Sequence, residues 1–245
     1  MGCGIICAMR IRYFALIAWV LSSASHLAAQ PLTRVGMSAT GHSFEYIARA
    51  DQSGDSVTLY GYMTHLDGID DALLFAPGVS SSQPSQGEAN ARMTFVAKST
   101  FTSRIPNGSI ISSTQNEEMT VYFTPLPQAR DFTKPDTFST GTAIAAFKSR
   151  VYNILNVQSP LTPQGPGRGI TIATSDSVQD SAAAFTLDNR RYVFGQVRRQ
   201  LKIFGTGQGT LTAVNPFVAN FLVAGYAEEA GPPRRQLFRS GEPQR

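Results

Sequence analysis

The chain has 245 residues, two cysteines, three histidines and a formal net charge of +4. The positive charge lies mainly at the ends, with Arg10 and Arg12 near the start and four arginines within 231–245. A nucleic-acid-binding surface needs many basic side chains along the phosphates, so the nearly neutral body argues against nucleic acid as a partner.

Residues 1–29 have the pattern of a secretory signal peptide. Arg10 and Arg12 precede an unbroken apolar run, 13–21, and small residues follow it up to Ala29. This order predicts export, with cleavage after Ala29 favoured over cleavage after Ala24. The apolar run is about half of the ~20 residues that span a bilayer. We therefore expect a secreted or periplasmic protein with no membrane span in the mature chain; an uncleaved anchor is the alternative.

The start of the chain leaves one question open and excludes several chemistries. Either Met1 or Met9 can be the true start. Cys3 and Cys7 both lie in the segment predicted to be removed, so we expect a disulfide-free mature domain without thiolate chemistry. Only His42 and His65 remain after processing, too few for a three-histidine zinc site within one chain. The sequence thus predicts no metal site and no cofactor.

Four segments alternate apolar and polar residues with a period of two: 42–50, 56–66, 89–99 and 117–124. This period is typical of β-strands with one buried face. In the segment 117–124, Met119, Val121 and Phe123 share one face, and Glu118 lies on the other. We predict antiparallel strands with one side in water.

Turn residues separate the predicted strands. Gly54, Asn107-Gly108 and Asp188-Asn189 each stand between two alternating segments at hairpin spacing. Two longer loops, Pro77–Gly87 and Gln158–Gly169, are too short and too weakly charged to link domains. We therefore predict one β-rich domain over 30–230, arranged largely as a meander, followed by a disordered basic tail over 231–245.

Three further segments need a choice between structures. The segment 139–155 fits a helix or a strand, and its surroundings favour a strand. The glycines of 205–209 lack the Lys-Ser/Thr pair of a phosphate loop, so a turn or bulge is favoured. The segment 217–226 is apolar on both faces, which predicts a strand buried on both sides. The whole pattern predicts an all-β fold, either a single antiparallel β-barrel or a two-sheet β-sandwich, with roughly ten strands.

Candidate ligand-binding residues are Tyr60, Tyr62 and His65. The two tyrosines place aromatic rings on the second face of their strand, and His65 adds a polar group nearby. Together with Asp67, Asp70 and Asp71, His65 forms the densest polar cluster. Its spacing does not match the calcium loop, and turn chemistry accounts for its aspartates.

A second cluster of charge lies near the predicted hairpin at 188–189. Its members are Arg190, Arg191, Arg198, Arg199 and Lys202. An anionic ligand is one explanation, but solvated charges that protect an exposed strand edge are favoured.

The sequence leaves three functions open. The first is non-enzymatic binding of a small apolar ligand or an envelope protein. The second is a barrel enzyme of isomerase or cyclase type without a covalent nucleophile, since Gly-x-Ser-x-Gly is absent from the sequence. It requires a deep apolar cavity containing Glu45, His65 or Glu118. The third is an outer-membrane β-barrel component. The sequence does not determine the oligomeric state.

Overall fold

The structure is a computed structural model that describes residues 31–77, 86–127 and 129–230. The predicted signal peptide, the predicted tail and most of the loop Pro77–Gly87 lie outside the described residues. Within them the fold is all-β, with eleven strands and three short 3₁₀ helices at Asp71–Leu74, Glu88–Asn90 and Pro135–Ser139. The strands are β1 Leu32–Val35, β2 Phe44–Ser53, β3 Ser56–Leu66, β4 Met93–Asn107, β5 Ile110–Phe123, β6 Thr142–Ser159, β7 Gly167–Ala182, β8 Ala184–Leu187, β9 Arg190–Phe194, β10 Gln200–Val214 and β11 Phe217–Glu229.

Eight of these strands form a closed antiparallel barrel in the order β10-β11-β2-β3-β4-β5-β6-β7. Strands β2 to β7 are neighbours in sequence and in space, as the predicted meander requires. Pairing of β11 with β2, for example Phe221 with Ala50, closes the barrel. Of the two predicted architectures, the single antiparallel β-barrel is confirmed.

The period-two pattern decides which side chains face the barrel interior. In β2, Phe44, Tyr46 and Ala48 are buried and point inward. Their cross-strand partners continue the same inner face, since Ala48 pairs with Gly61 and Ala50 with Leu59 of β3. The inward face predicted for this segment is thus the inner wall of the barrel.

The two ends of the barrel differ. One end, here called the hairpin end, carries the short β2–β3, β4–β5 and β10–β11 turns and the β6–β7 loop. The predicted Asn107-Gly108 turn lies there, with Gly108 at φ 62°. The predicted Asp188-Asn189 turn joins β8 to β9, with both residues at positive φ as in tight hairpins. Both turn predictions are confirmed.

A three-stranded sheet, β1-β9-β8, covers the opposite end, here called the plugged end. Phe194 of β9 is fully buried. Its ring centroid lies 5.9 Å from that of Phe44 and 6.0 Å from that of Phe147. Phe185 of β8 lies 4.8 Å from Phe123 in the same way. Aromatic packing between the sheet and the inner barrel wall therefore closes this end.

The outer side of β3 is covered, contrary to the prediction that it faces water. Tyr60 is 1% exposed and Tyr62 is 7% exposed. Phe132 and Phe138, from the β5–β6 connection, pack on the Tyr60 ring at 6.1 and 5.3 Å. The Tyr60 hydroxyl lies 2.6 Å from Asp51 Oδ2. A segment distant in sequence thus forms an outer layer that local alternation does not show.

Three predictions made from local sequence have different outcomes. The prediction that 139–155 forms a strand is confirmed from Thr142 onward, where β6 begins. The prediction of a turn or bulge at 205–209 is wrong, because its glycines continue β10 without interruption. The segment 217–226 is a strand, but the prediction that it is buried on both sides is wrong, because Leu222 on its outer face is 59% exposed.

The predicted basic cluster contains one residue that is not solvated. Arg199 is buried, and its Nε donates to Glu229 Oε1 at 2.6 Å while its Nη2 donates to Ser43 Oγ at 2.7 Å. Lys202 forms an ion pair with Asp176 on the surface. Arg199 therefore ties together residues at the plugged end. In the described residues, no helix is long and apolar enough to cross a membrane.

We expect Gly225→Ala to destabilise the protein by about 2 kcal/mol, because added volume in a packed wall forces the neighbours apart. A Cβ at Gly225 would lie 2.0 Å from the Phe204 carbonyl oxygen and 2.5 Å from the Tyr46 hydroxyl. Urea denaturation measures the difference in free energy of unfolding. Gly165→Ala is the control, since nothing lies within 4 Å of a Cβ there. Equal stability of the two variants would contradict the packing described.

Candidate functional site

The barrel interior contains a cavity of about 110 Å³ between its middle and the hairpin end. A smaller space of about 60 Å³ adjoins it toward the plugged end. Six residues line both spaces, namely Tyr46, Leu59, Glu117, Val151, Ala173 and Gly205. The wall is mostly aliphatic and aromatic, as is usual for sites that bind small molecules.

Glycines on two adjacent strands explain why this part of the barrel is not filled. Gly205 of β10 pairs with Gly225 of β11, and both face inward. A Cβ at either position would lie within 2.7 Å of the Tyr46 hydroxyl. The Tyr46 ring therefore lies against these two glycines, and its hydroxyl donates to the Phe204 carbonyl at 3.2 Å. The middle of the barrel is left open as a result.

Glu117 of β5 is the one acidic side chain in the described cavity lining. The strand register places it between Ser99 of β4 and Ser149 of β6. Ser99 donates to Gln115 Oε1 at 2.6 Å, and Ser149 lies 2.8 Å from the Ser177 hydroxyl oxygen. Both flanking hydroxyls are thus engaged elsewhere, and within the described residues the Glu117 carboxyl has no hydrogen bond or ion pair.

Burial raises the pKa of Glu117 to about 7. A charged carboxylate loses its hydration inside the barrel, and no cation in the described lining offsets that loss. The side chain retains some accessible area because it faces the cavity. A carboxyl group that titrates near neutral pH in an apolar cavity can donate a hydrogen bond or exchange a proton with a bound molecule.

Tyr46 is the other titratable side chain of the described cavity lining. Burial, and next the charge of Glu117, raise the pKa of Tyr46. The phenol therefore stays protonated near neutral pH and keeps its hydrogen bond to the main chain. Tyr46 shapes the wall of the cavity, while the exchangeable proton belongs to Glu117.

The structure places the predicted ligand-binding residues outside the barrel. Tyr60 and Tyr62 belong to the outer face of β3, packed under the β5–β6 connection. His65 is also on the outer side, with Nδ1 2.8 Å from Asp71 Oδ1. None of the three lines the cavity. A ligand-binding role for them is untested and stays a prediction.

The acidic residues named for the enzyme hypothesis also face outward. Glu45 pairs with His65 on the outer face of the barrel, and its Oε1 lies 2.8 Å from His42 Nδ1. Glu118 is exposed, but its neighbour Glu117 is the cavity carboxyl. The sequence did carry a signal for Glu117, because this acid lies in the same alternating register as Met119 and the other apolar residues of the strand.

The polar cluster around His65 has a local structural role. Asp70 caps the 3₁₀ helix Asp71–Leu74, accepting a hydrogen bond from the Ala72 amide at 3.0 Å. Over 31–77, 86–127 and 129–230, no group of three or more His, Cys, Asp or Glu side chains is placed to hold a metal ion. The cluster therefore offers no ligand set of that kind, and the cavity is the candidate site.

The chain was compared with family models, with curated proteins and with solved structures. Nothing matched in any of the three comparisons. The functional argument consequently depends on the cavity and its side chains, since an all-β barrel alone supports many unrelated functions.

We expect Glu117→Gln to increase stability at about pH 8. An unfolded glutamate titrates near 4.5, whereas burial raises the pKa in the fold to about 7. The folded state therefore binds the proton more tightly than the unfolded state. The resulting contribution to folding stability is fully present below about pH 4.5 and is lost as the pH rises through about 7. The loss is on the order of 3 kcal/mol.

Urea denaturation between about pH 5 and pH 8 tests this prediction. Wild-type protein should lose stability over that range, and Glu117→Gln should lose much less. Glu118→Gln is the matched control, because it removes an exposed carboxyl from the adjacent position. A wild-type pH dependence that survives in Glu117→Gln would contradict the assignment.

Proposed function

We propose that this protein is an exported domain that binds a small, mainly apolar ligand inside its barrel. The observation that supports the proposal is an interior cavity with an apolar wall and one carboxyl group without a partner in the described structure. Apolar walls supply affinity for an apolar body, and a few placed polar groups supply orientation.

The size of the cavity limits the size of the ligand. An apolar cavity of about 150 Å³ holds benzene in a well-studied engineered protein. The main cavity of about 110 Å³ and the adjoining space of about 60 Å³ are together of similar size. A molecule with a single ring or a short aliphatic chain therefore matches the size of this space.

Access to the cavity is expected from the hairpin end. The opposite end is closed by packing of Phe194 against Phe44 and Phe147. Toward the hairpin end the lining continues with Val57, Phe101 and other apolar residues. An apolar molecule entering by this route would exchange water for hydrocarbon contacts along the whole path.

Filling the cavity should abolish binding while leaving the fold intact. Ala173 lines both spaces, and Ala173→Leu would occupy part of the volume that the ligand needs. Purified protein is incubated with an extract of its host cells and examined by native mass spectrometry. We expect wild type to retain a small molecule, and we expect the fraction of protein that carries it to be at least tenfold lower in the variant.

Ala224→Leu is the control, since Ala224 is exposed on the outer face of β11. It should retain the same molecule as wild type. If wild-type protein retains no small molecule, or if Ala173→Leu retains as much as wild type, the proposal of an interior ligand site is wrong.

A second candidate function is an isomerase that works by proton transfer. The observation that favours it is the Glu117 carboxyl, whose pKa of about 7 suits a general acid or base at neutral pH. Ionised Glu117 would take a proton from a carbon next to a carbonyl group, and the protonated carboxyl would return it to another carbon. No covalent bond to the protein and no cofactor is needed for this step.

Deuterium exchange separates the two functions. Acetophenone in D₂O exchanges its methyl protons when a base removes one and returns deuterium to the same carbon. An isomerase site should accelerate this exchange at least tenfold over buffer, and Glu117→Gln should remove the acceleration while Glu118→Gln keeps it. If acetophenone binds but its exchange rate equals the rate in buffer, the isomerase function is wrong and the binding function is unaffected.

Three other predictions from the sequence are also untested, and each has its own measurement. Export predicts that the N-terminus of the secreted protein begins at Gln30, which N-terminal sequencing measures. An envelope partner predicts co-purification of a second protein. An outer-membrane component would stay with the membrane fraction after carbonate washing and partition into detergent.

A further inference from the structure

Two side-chain amides of the cavity lining present unused hydrogen-bond donors. Ser99 donates to Gln115 Oε1 at 2.6 Å, and Thr171 donates to Asn153 Oδ1. With the amides assigned in these orientations, both oxygens are occupied. Gln115 Nε2 and Asn153 Nδ2 have no hydrogen-bond partner among the described residues, and both side chains line the main cavity.

Other polar side chains of the lining have partners. The Tyr46 hydroxyl donates to the Phe204 carbonyl, and Gln52 Nε2 donates to the Gly54 carbonyl at 3.1 Å. Ser175, deeper in the barrel, lies 3.1 Å from the Ser177 hydroxyl oxygen. Gln52 Oε1, at the hairpin end of the cavity, has no hydrogen-bond partner among the described residues. Beside Glu117, the free polar groups are the two amide NH₂ groups and the Glu117 carboxyl.

The strand register places these three groups on one part of the wall. Gln115 precedes Glu117 by two residues on the inner face of β5. Asn153 lies on the neighbouring strand β6, where it pairs with Ser113, and Val151 beside it pairs with Gln115. The two amides therefore flank the same opening that the carboxyl faces.

We propose that the cavity selects an uncharged apolar molecule carrying a carbonyl oxygen, which accepts hydrogen bonds from Gln115 Nε2 and Asn153 Nδ2. This inference rests on the proposed ligand-binding function and adds the chemistry of the polar group. A carbonyl oxygen has two lone pairs, so it can accept from both amides at once. Protonated Glu117 would add a third donor beside them.

Other polar groups fit the donors less well. An ammonium group could pair with ionised Glu117, but it is itself a donor and would leave both amides unpaired. A carboxylate could accept from the amides and from protonated Glu117, but its own charge would lose its hydration in the cavity, and no cation in the described lining offsets that loss. A pure hydrocarbon would leave both N–H groups buried without a partner, which is costly. The uncharged carbonyl avoids all three penalties.

A matched pair of probes tests the inference. Acetophenone and α-methylstyrene have nearly the same shape and differ in C=O against C=CH₂. Binding to ¹⁵N-labelled protein is followed by NMR, with the side-chain NH₂ resonances of Gln115 and Asn153 as local reporters. Acetophenone should bind roughly tenfold more tightly and shift both NH₂ resonances, since the hydrogen bonds form only with the oxygen.

Variants of the two amides provide a second readout. Gln115→Leu and Asn153→Leu should each reduce the preference for acetophenone several-fold while leaving the affinity for α-methylstyrene within about twofold of wild type. Asn116→Leu is the matched control, because it removes an exposed amide from the outer face of the same strand. The wild-type NMR readout stands if one of the inner variants fails to fold.

The outcomes separate the two proposals. Equal affinity for the two probes, or tighter binding of benzylamine than of acetophenone, would overturn the carbonyl inference and leave ligand binding in place. Absence of binding by all three probes, together with no molecule retained from extract, would overturn both. Tighter binding of acetophenone without a change in either NH₂ resonance would overturn the assigned donors.

Discussion

Closure of the sheet is the constraint from which the rest of the structure follows. Once β11 pairs with β2, every second residue of eight strands must fit inside a space of fixed width. An eight-stranded barrel is just wide enough for its side chains to fill or for one small ligand. Which of the two occurs at a given level depends on inner side-chain volume. At the plugged end, large aromatic rings fill the interior, whereas at the level of Gly205 and Gly225 the Tyr46 ring lies against the wall and leaves a cavity beside it.

The same closure explains the electrostatics of the cavity. A strand in an open sheet could turn Glu117 toward water, but in the barrel its inner position leads only into the interior. The flanking serines make hydrogen bonds with other side chains, so the acid is left with the cavity itself as its surroundings. The raised pKa of Glu117 and the unused amide donors nearby thus have one common origin: a few polar side chains of a mainly apolar wall face a space that the protein does not fill.

Local sequence pattern was sufficient for much of the fold. Alternation in β2 and β3 and the Asn107-Gly108 turn are short-range features, and the structure confirms them. Alternation could not reveal the inner face of β10, because glycines carry no side chain to mark it. Burial of Tyr60 depends on Phe138, far along the chain, so it was invisible locally. Glu117 could have been found from the sequence, because it alternates in register with apolar neighbours. Only the pairing of its strand with β4 and β6 shows that this face lines a cavity.

The aromatic packing between β9 and the inner wall has a consequence for exchange. Under the proposed function, a barrel closed at this end would let a ligand leave only by the route through which it entered. A second molecule cannot push the first out ahead of it, and replacement must proceed by emptying and then refilling. The residence time of the ligand would then be governed by the turns and the loop of the hairpin end, and changes there would alter the rate of release more than the affinity.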